Sequence, residues 1–64
     1  MLLLSATDVA IAIAIRANTL RQVERPSRFG GTFISLEDEA GVIEVHMTQA
    51  EADDRLAKIQ EAIQ

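Results

Sequence analysis

A serine nucleophile needs a base within hydrogen-bond reach and a third group to orient that base. This chain offers Ser5, Ser27 and Ser35 and a single histidine, His46. Of these, only Ser35 and His46 fall where two paired strands place them on one sheet face, on different rungs and open to water. Asp53 and Asp54 are neighbours in a helical segment, so their carboxylates point in different directions and cannot share acid–base work. With no cysteine and one histidine, thiolate zinc sites and disulfides are ruled out, and His46 alone cannot build a metal site. The acidic run Glu37 to Gly41 lacks the alternating oxygen ligands and distal glutamate of a calcium loop. Gly30 and Gly31 precede a strand rather than a helix N-terminus, so they do not form a phosphate cradle. The expectation is a protein that is not an enzyme and needs no cofactor or metal.

Two groups of charged residues remain as binding candidates. Arg21 and Arg25, one turn apart if helical, with Arg28 following, present forked donors suited to an anion or nucleotide. Their plain alternative is to complement a helix C-terminus and aid solubility. Glu51, Asp53, Asp54 and Glu61, with the acidic turn Glu37 to Glu39, present a surface suited to a basic protein partner, or simply a solvated face. The formal charge is −4 and unevenly spread: residues 1–31 carry four arginines against Asp8 and Glu24, whereas residues 32–64 carry eight acids against Arg55 and Lys58. That balance opposes general nucleic-acid affinity, which depends on Lys and Arg against phosphate, and favours a protein partner.

The elements that hold these groups follow from punctuation at Arg25 to Gly31 and at Asp38 to Gly41. The first segment alternates Val9, Ile11, Ile13 and Ile15 with alanines, a strand-like period. Alanine content, a capping pattern at Ser5 to Asp8 and continuation through Ala17, Leu20 and Val23 to Pro26 predict a helix over 6–24 instead. A β-hairpin follows over 32–47, with Glu37 opposite Val42, Leu36 opposite Ile43 and Ile34 opposite Val45. A second capping box at Thr48 to Glu51 opens a helix over 49–63, with Ala52, Leu56, Ile59 and Ile63 on one stripe and ion pairs Glu51 with Arg55 and Asp54 with Lys58. The fold expected is a single two-layer α+β domain of order helix, hairpin, helix.

The first helix would be apolar on two opposed sides. Val9, Ile13, Ala17, Leu20 and Val23 are expected to face the core, which leaves Ile11 and Ile15 on the far side. A 64-residue chain has little core to spare, so those two residues, with Phe33 and Val42 on the outer hairpin face, are expected to line contacts between copies. The plain alternative is that Leu2 to Leu4 fold back over them. Neither apolar run approaches the roughly 20 residues needed to span a bilayer, so no membrane association is expected, and the lack of cysteine fits a reducing cytoplasm.

These features favour an interaction protein: a small, acidic, self-associating adaptor or inhibitor of a larger protein, in size and composition similar to proteins encoded by phages and mobile elements. In layout, the order of helix, hairpin and capped C-terminal helix from about Ala6 to Ile63 resembles the phage lambda head-tail joining protein W family, which would imply a structural role in virion assembly. An anion binder using Arg21, Arg25 and Arg28 is the third reading.

Overall fold

A computed structural model describes residues 4–64. The chain runs α1 (Ala6–Arg16), β1 (Arg21–Pro26), β2 (Thr32–Asp38), β3 (Gly41–Met47) and α2 (Gln49–Ile63). The strands form one antiparallel sheet of order β1-β2-β3, and the layout is α+β.

The first helix is shorter than its apolar spacing predicts. Ser5 caps its N-terminus, accepting from the Asp8 amide at 3.1 Å. At the other end Asn18 takes a left-handed conformation with φ 59°. Its amide donates to the Ile15 carbonyl at 3.0 Å, and the Thr19 amide donates to Ala14 at 2.9 Å. These two bonds form a Schellman stop, with asparagine in the place usually given to glycine. Leu20 and Val23 continue the helical spacing by coincidence. The chain past Asn18 instead becomes β1, paired with β2 from Arg21↔Glu37 to Pro26↔Thr32. Pro26, which has no amide hydrogen to offer a ladder, sits at the end of an edge strand where it does least harm.

The hairpin register agrees with expectation only at its turn. Glu37 pairs with Val42, but Leu36 pairs with Glu44 and Ile34 with Met47. One extra β3 residue is taken up at Ile43, and a second where Val45 and His46 together oppose Ser35. Both are β-bulges, two residues against one. The second holds His46 at φ 68°, a strained conformation for a non-glycine residue. Met47 thereby replaces Val45 in the core.

Both helices pack on one face of the sheet. The core unites Ile11 and Ala12 with Ile34, Leu36, Met47, Ala52, Leu56 and Ile59, and Ile15, Leu20, Ile43 and Ile63 pack against it. The α2 stripe lies inside as its spacing predicts. For α1 the expected sides are exchanged: Ile11 is 0% exposed, whereas Val9 is 44% and Ile13 63% exposed. Ile11 therefore cannot line a contact between copies, and Ile15 is half-buried against the same core. Periodicity identifies two opposed stripes but not which one turns inward. On the same side of α1 Asp8 bonds to Arg55 of α2 at 2.9 Å, so the rotation that buries Ile11 and Ile15 against the core also satisfies this pair. Val23, expected in the core, is half-buried on the other face of the sheet.

Candidate functional site

With both helices on one side, the opposite face of the sheet is open. Residues directly paired across strands share a face, so this face is built from Arg21, Val23 and Arg25 of β1, Phe33, Ser35 and Glu37 of β2, and Val42, Val45 and His46 of β3.

A polar chain occupies its middle. Arg25 donates to Glu37 Oε2 through Nε at 2.9 Å and Nη2 at 2.6 Å, and Ser35 Oγ donates to the same oxygen at 2.8 Å. Ser35 is 0% exposed and Glu37 is nearly buried. The Arg25 bond, then the Ser35 bond, holds the Glu37 carboxyl below its ordinary pKa against the opposing effect of burial, with the Arg25 and Arg21 charges adding to the shift. A carboxylate whose folded pKa is depressed stabilises the fold above its unfolded pKa of about 4.3, and that contribution is lost as pH falls through the lower folded value. Glu37→Gln is accordingly expected to melt below the wild type at pH 7, with the gap closing as pH drops from about 5 toward the acid limit. A gap in Tm that stays constant down to pH 3 would show that the ionised carboxylate contributes nothing.

The β1–β2 end of the face is aromatic. Phe33 and His46 lie with ring centroids 4.6 Å apart and planes tilted by 41°. Pro26, Ser27, Arg28 and Phe29 complete a shallow depression around this pair. The loop carrying them is closed by Ser27 N–H to Gly31 O at 3.0 Å and Gly30 N–H to Ser27 O at 3.2 Å, and the Phe29 amide donates to Ser27 Oγ at 3.2 Å. Gly30 and Gly31, at φ 95° and 69°, supply the conformations that let so short a loop close. Its outcome is that Phe29 is 92% exposed, forgoing the roughly 2 kcal/mol that burial of the ring would contribute.

The residues picked from sequence are dispersed by the fold. Arg21, Arg25 and Arg28 do not gather: Arg25 is committed to Glu37, Arg21 stands beside Asn18, Leu20 and Glu39 at the opposite end of β1, and Arg28 lies among the aromatics. The rest of β1, at about 3.3 Å per residue, and Ser27 separate the first from the last. The acidic side chains of α2 are exposed, and three of the four have local tasks. Glu51 closes the capping box with Thr48, whose backbone and side chain lower its pKa; Asp53 accepts from Gln49 Nε2 at 2.9 Å; Asp54 pairs with Lys58 at 3.1 Å. Glu61 is exposed. Arg55 does not pair with Glu51 but bridges Asp8 and Glu44. Ser35 and His46 do share the open face, but the serine proton goes to Glu37 and the imidazole stacks on Phe33.

Phe33 is half-buried beside His46, and Val42, at the far corner of β3, is 58% exposed. Phe29 was not a sequence candidate; the available signal was an aromatic residue directly before two glycines. Among the described residues, no group of three or more His, Cys, Asp or Glu side chains is placed to hold a metal ion, and no helix is long and apolar enough to cross a membrane. No protein-family model matches the chain, and no curated protein or solved structure matches it either. The helix-hairpin-helix layout that resembled head-tail joining proteins is also not the layout observed, because a third strand stands where the second half of a long first helix was expected.

Proposed function

We propose that this chain is a non-catalytic, self-associating interaction protein, a small acidic adaptor or inhibitor that binds a larger protein through the open face of its sheet. The observation that carries the reading is Phe29. A loop shaped by two positive-φ glycines holds a large aromatic ring in water beside Arg28 and the Phe33–His46 pair. Aromatic and arginine side chains are the usual anchors of protein interfaces, and a partner with an apolar socket flanked by carboxylates would satisfy both at once. The commitment of Ser35 and His46 to structural contacts supports a binding role over a catalytic one. The reducing cytoplasm suggested by the cysteine-free composition is the proposed location.

The test is native mass spectrometry of the untagged complex from its source cells, followed by affinity measurement on the recovered partner. Phe29→Ala is expected to weaken binding about 30-fold or more, as for an anchor worth at least about 2 kcal/mol, without altering the circular dichroism spectrum. A stoichiometric partner that binds Phe29→Ala and Arg28→Glu as tightly as the wild type would refute the sheet face, and the absence of any partner would refute the function.

A further inference from the structure

The two edges of the sheet are built differently. β3 carries two bulges and is in contact with α1, devices that blunt an edge against further pairing. β1 pairs with β2 in unbroken register from Arg21 to Pro26 and is exposed at every residue but Val23. The helices lie over β2 and β3; α2 meets β1 where Gln49 Nε2 donates to Gln22 Oε1 at 2.8 Å. The Ser27 amide donates to the Gly31 carbonyl at 3.0 Å, which sets the phase of the ladder. Bonded pairs recur at every second residue of an antiparallel pair, so Arg25 with Phe33, Val23 with Ser35 and Arg21 with Glu37 bond across it. The amides and carbonyls of Gln22 and Glu24 therefore point away from the sheet. Pro26 likewise turns its nitrogen outward and costs β2 no bond.

This edge matches a second copy of itself in a single register. A two-fold axis normal to the sheet at Val23 sets Gln22 opposite the second copy's Glu24 and Glu24 opposite its Gln22, and each of these pairs exchanges two backbone bonds. Every outward amide of the two strands is then satisfied. The side chains agree with this pairing. Gln22 has its oxygen taken by Gln49, which leaves its amide nitrogen to donate to the facing Glu24 carboxylate, and Glu24 has no ion-pair partner among the described residues. Val23 meets its own copy on the axis, an apolar contact. Arg21 falls opposite the second copy's Arg25, whose charge Glu37 already matches. An axis at Glu24 would set that carboxylate against itself and ask Pro26 for a hydrogen it lacks. An axis at Gln22 would carry Glu24 past the end of the strand, opposite Leu20.

We propose that β1 is the contact of a homodimer in which two three-stranded sheets join edge to edge, antiparallel and centred on Val23, into one continuous sheet. The pairing leaves each helix layer in place and sets the two open faces side by side. It gives an edge to the self-association in the function proposed above and does not involve Phe29. With six residues on each side the contact is short, and the dimer is correspondingly weak.

Amide hydrogen exchange of the untagged chain, followed by nuclear magnetic resonance from about 50 µM to about 1 mM, tests it. The Gln22 and Glu24 amides are expected to exchange freely in dilute solution and to become protected as concentration rises, whereas those of Arg21, Val23 and Arg25 are protected throughout. Sedimentation equilibrium should show a monomer–dimer equilibrium weakened about tenfold or more by Glu24→Pro, which removes an outward amide from each strand without touching β2, and little changed by Glu24→Gln, which keeps it. The chain has no cysteine, so single cysteines report the register: Val23→Cys should give a disulfide-linked dimer on mild oxidation, and Val42→Cys at the other edge should not. A chain that stays monomeric throughout overturns the proposal, as does a dimer that leaves the Gln22 and Glu24 amides unprotected or keeps its affinity with Glu24→Pro. Each of these results leaves the Phe29 reading standing, since that is measured on the partner.

Discussion

Ile11→Ala is expected to cost about 3 to 4 kcal/mol of unfolding free energy, whereas Ile13→Ala, two residues on and of identical chemistry, should cost less than about 1 kcal/mol. Ile11 is 0% exposed and touches the part of the core where α1, the sheet and α2 meet. Removing three carbons there forfeits their transfer energy and leaves a cavity that a close-packed interior fills only in part. Ile13 is mostly in water already. A fold of this size has a total stability of about 3 to 5 kcal/mol, so the Ile11 variant should be left close to its unfolding midpoint at room temperature. Urea titration followed by circular dichroism, at a concentration low enough to leave the chain monomeric, measures both. Equal costs, or a larger cost at Ile13, would mean that α1 is rotated by half a turn from the arrangement described.

That comparison concerns the one point on which pattern reading fails for a physical reason. Alternating isoleucine and alanine in a helix yields two apolar stripes of nearly equal strength, and the choice between them lies in long-range contacts, the packing of Ile11 against the sheet and α2 and the pair of Asp8 with Arg55, 47 residues away. Spacing within a helix carries no information about that partner. The helix caps, by contrast, are local: Thr48 and Glu51 bond reciprocally, and Ser5 caps α1 although Asp8 turns to Arg55 instead of closing a box, so the start of each helix was legible from a few adjacent residues. The end of α1 was equally local but rests on Asn18 in the left-handed region, a weaker signal than glycine. Once the helix stops there, Arg21–Pro26 has little intrinsic strand preference beyond Val23, and pairing with β2 decides its conformation.

The open face was half legible. Placing Phe33, Ser35 and Glu37 together required only the alternation of a strand, and Val42 opposite Glu37 followed from the turn. The Arg25–Glu37–Ser35 chain was hidden because Arg25 is expected at the end of a helix, not in a strand paired with β2. The Phe33–His46 contact is also what an unbulged register gives, yet the bulges shift every later β3 residue and turn Glu44 inward, where sequence placed it on the outer face. A bulge is an insertion of one residue, and no residue type in Ile43 to His46 announces it. Glu44 facing the helices, with Arg55 above it, is the consequence with the greatest energetic weight.

Arg55→Ala is therefore expected to cost about 2 kcal/mol, the largest effect of any change at a charged position. Its guanidinium reaches Asp8 Oδ1 through Nε and Nη2, each at 2.9 Å, and Glu44 Oε2 through Nη1, joining α2 to α1 and to β3. Glu44 Oε2 is buried against Arg55 Nη1, so the Arg55 charge is what it faces. Removing the arginine strands two carboxylates near each other under a helix layer. The three side chains keep about a quarter to a third of their surface in water, which holds the cost below the 3 to 5 kcal/mol of a fully buried pair and above the usual 0 to 1 kcal/mol at a surface. Arg55→Lys should recover only part, because one ammonium cannot span both carboxylates as a planar fork does. The double change Arg55→Leu with Glu44→Leu should recover more than Arg55→Leu alone, since it removes the stranded charge along with its partner. A double-mutant cycle in urea measures this coupling. If the two changes simply add, the Arg55–Glu44 pairing contributes nothing to stability.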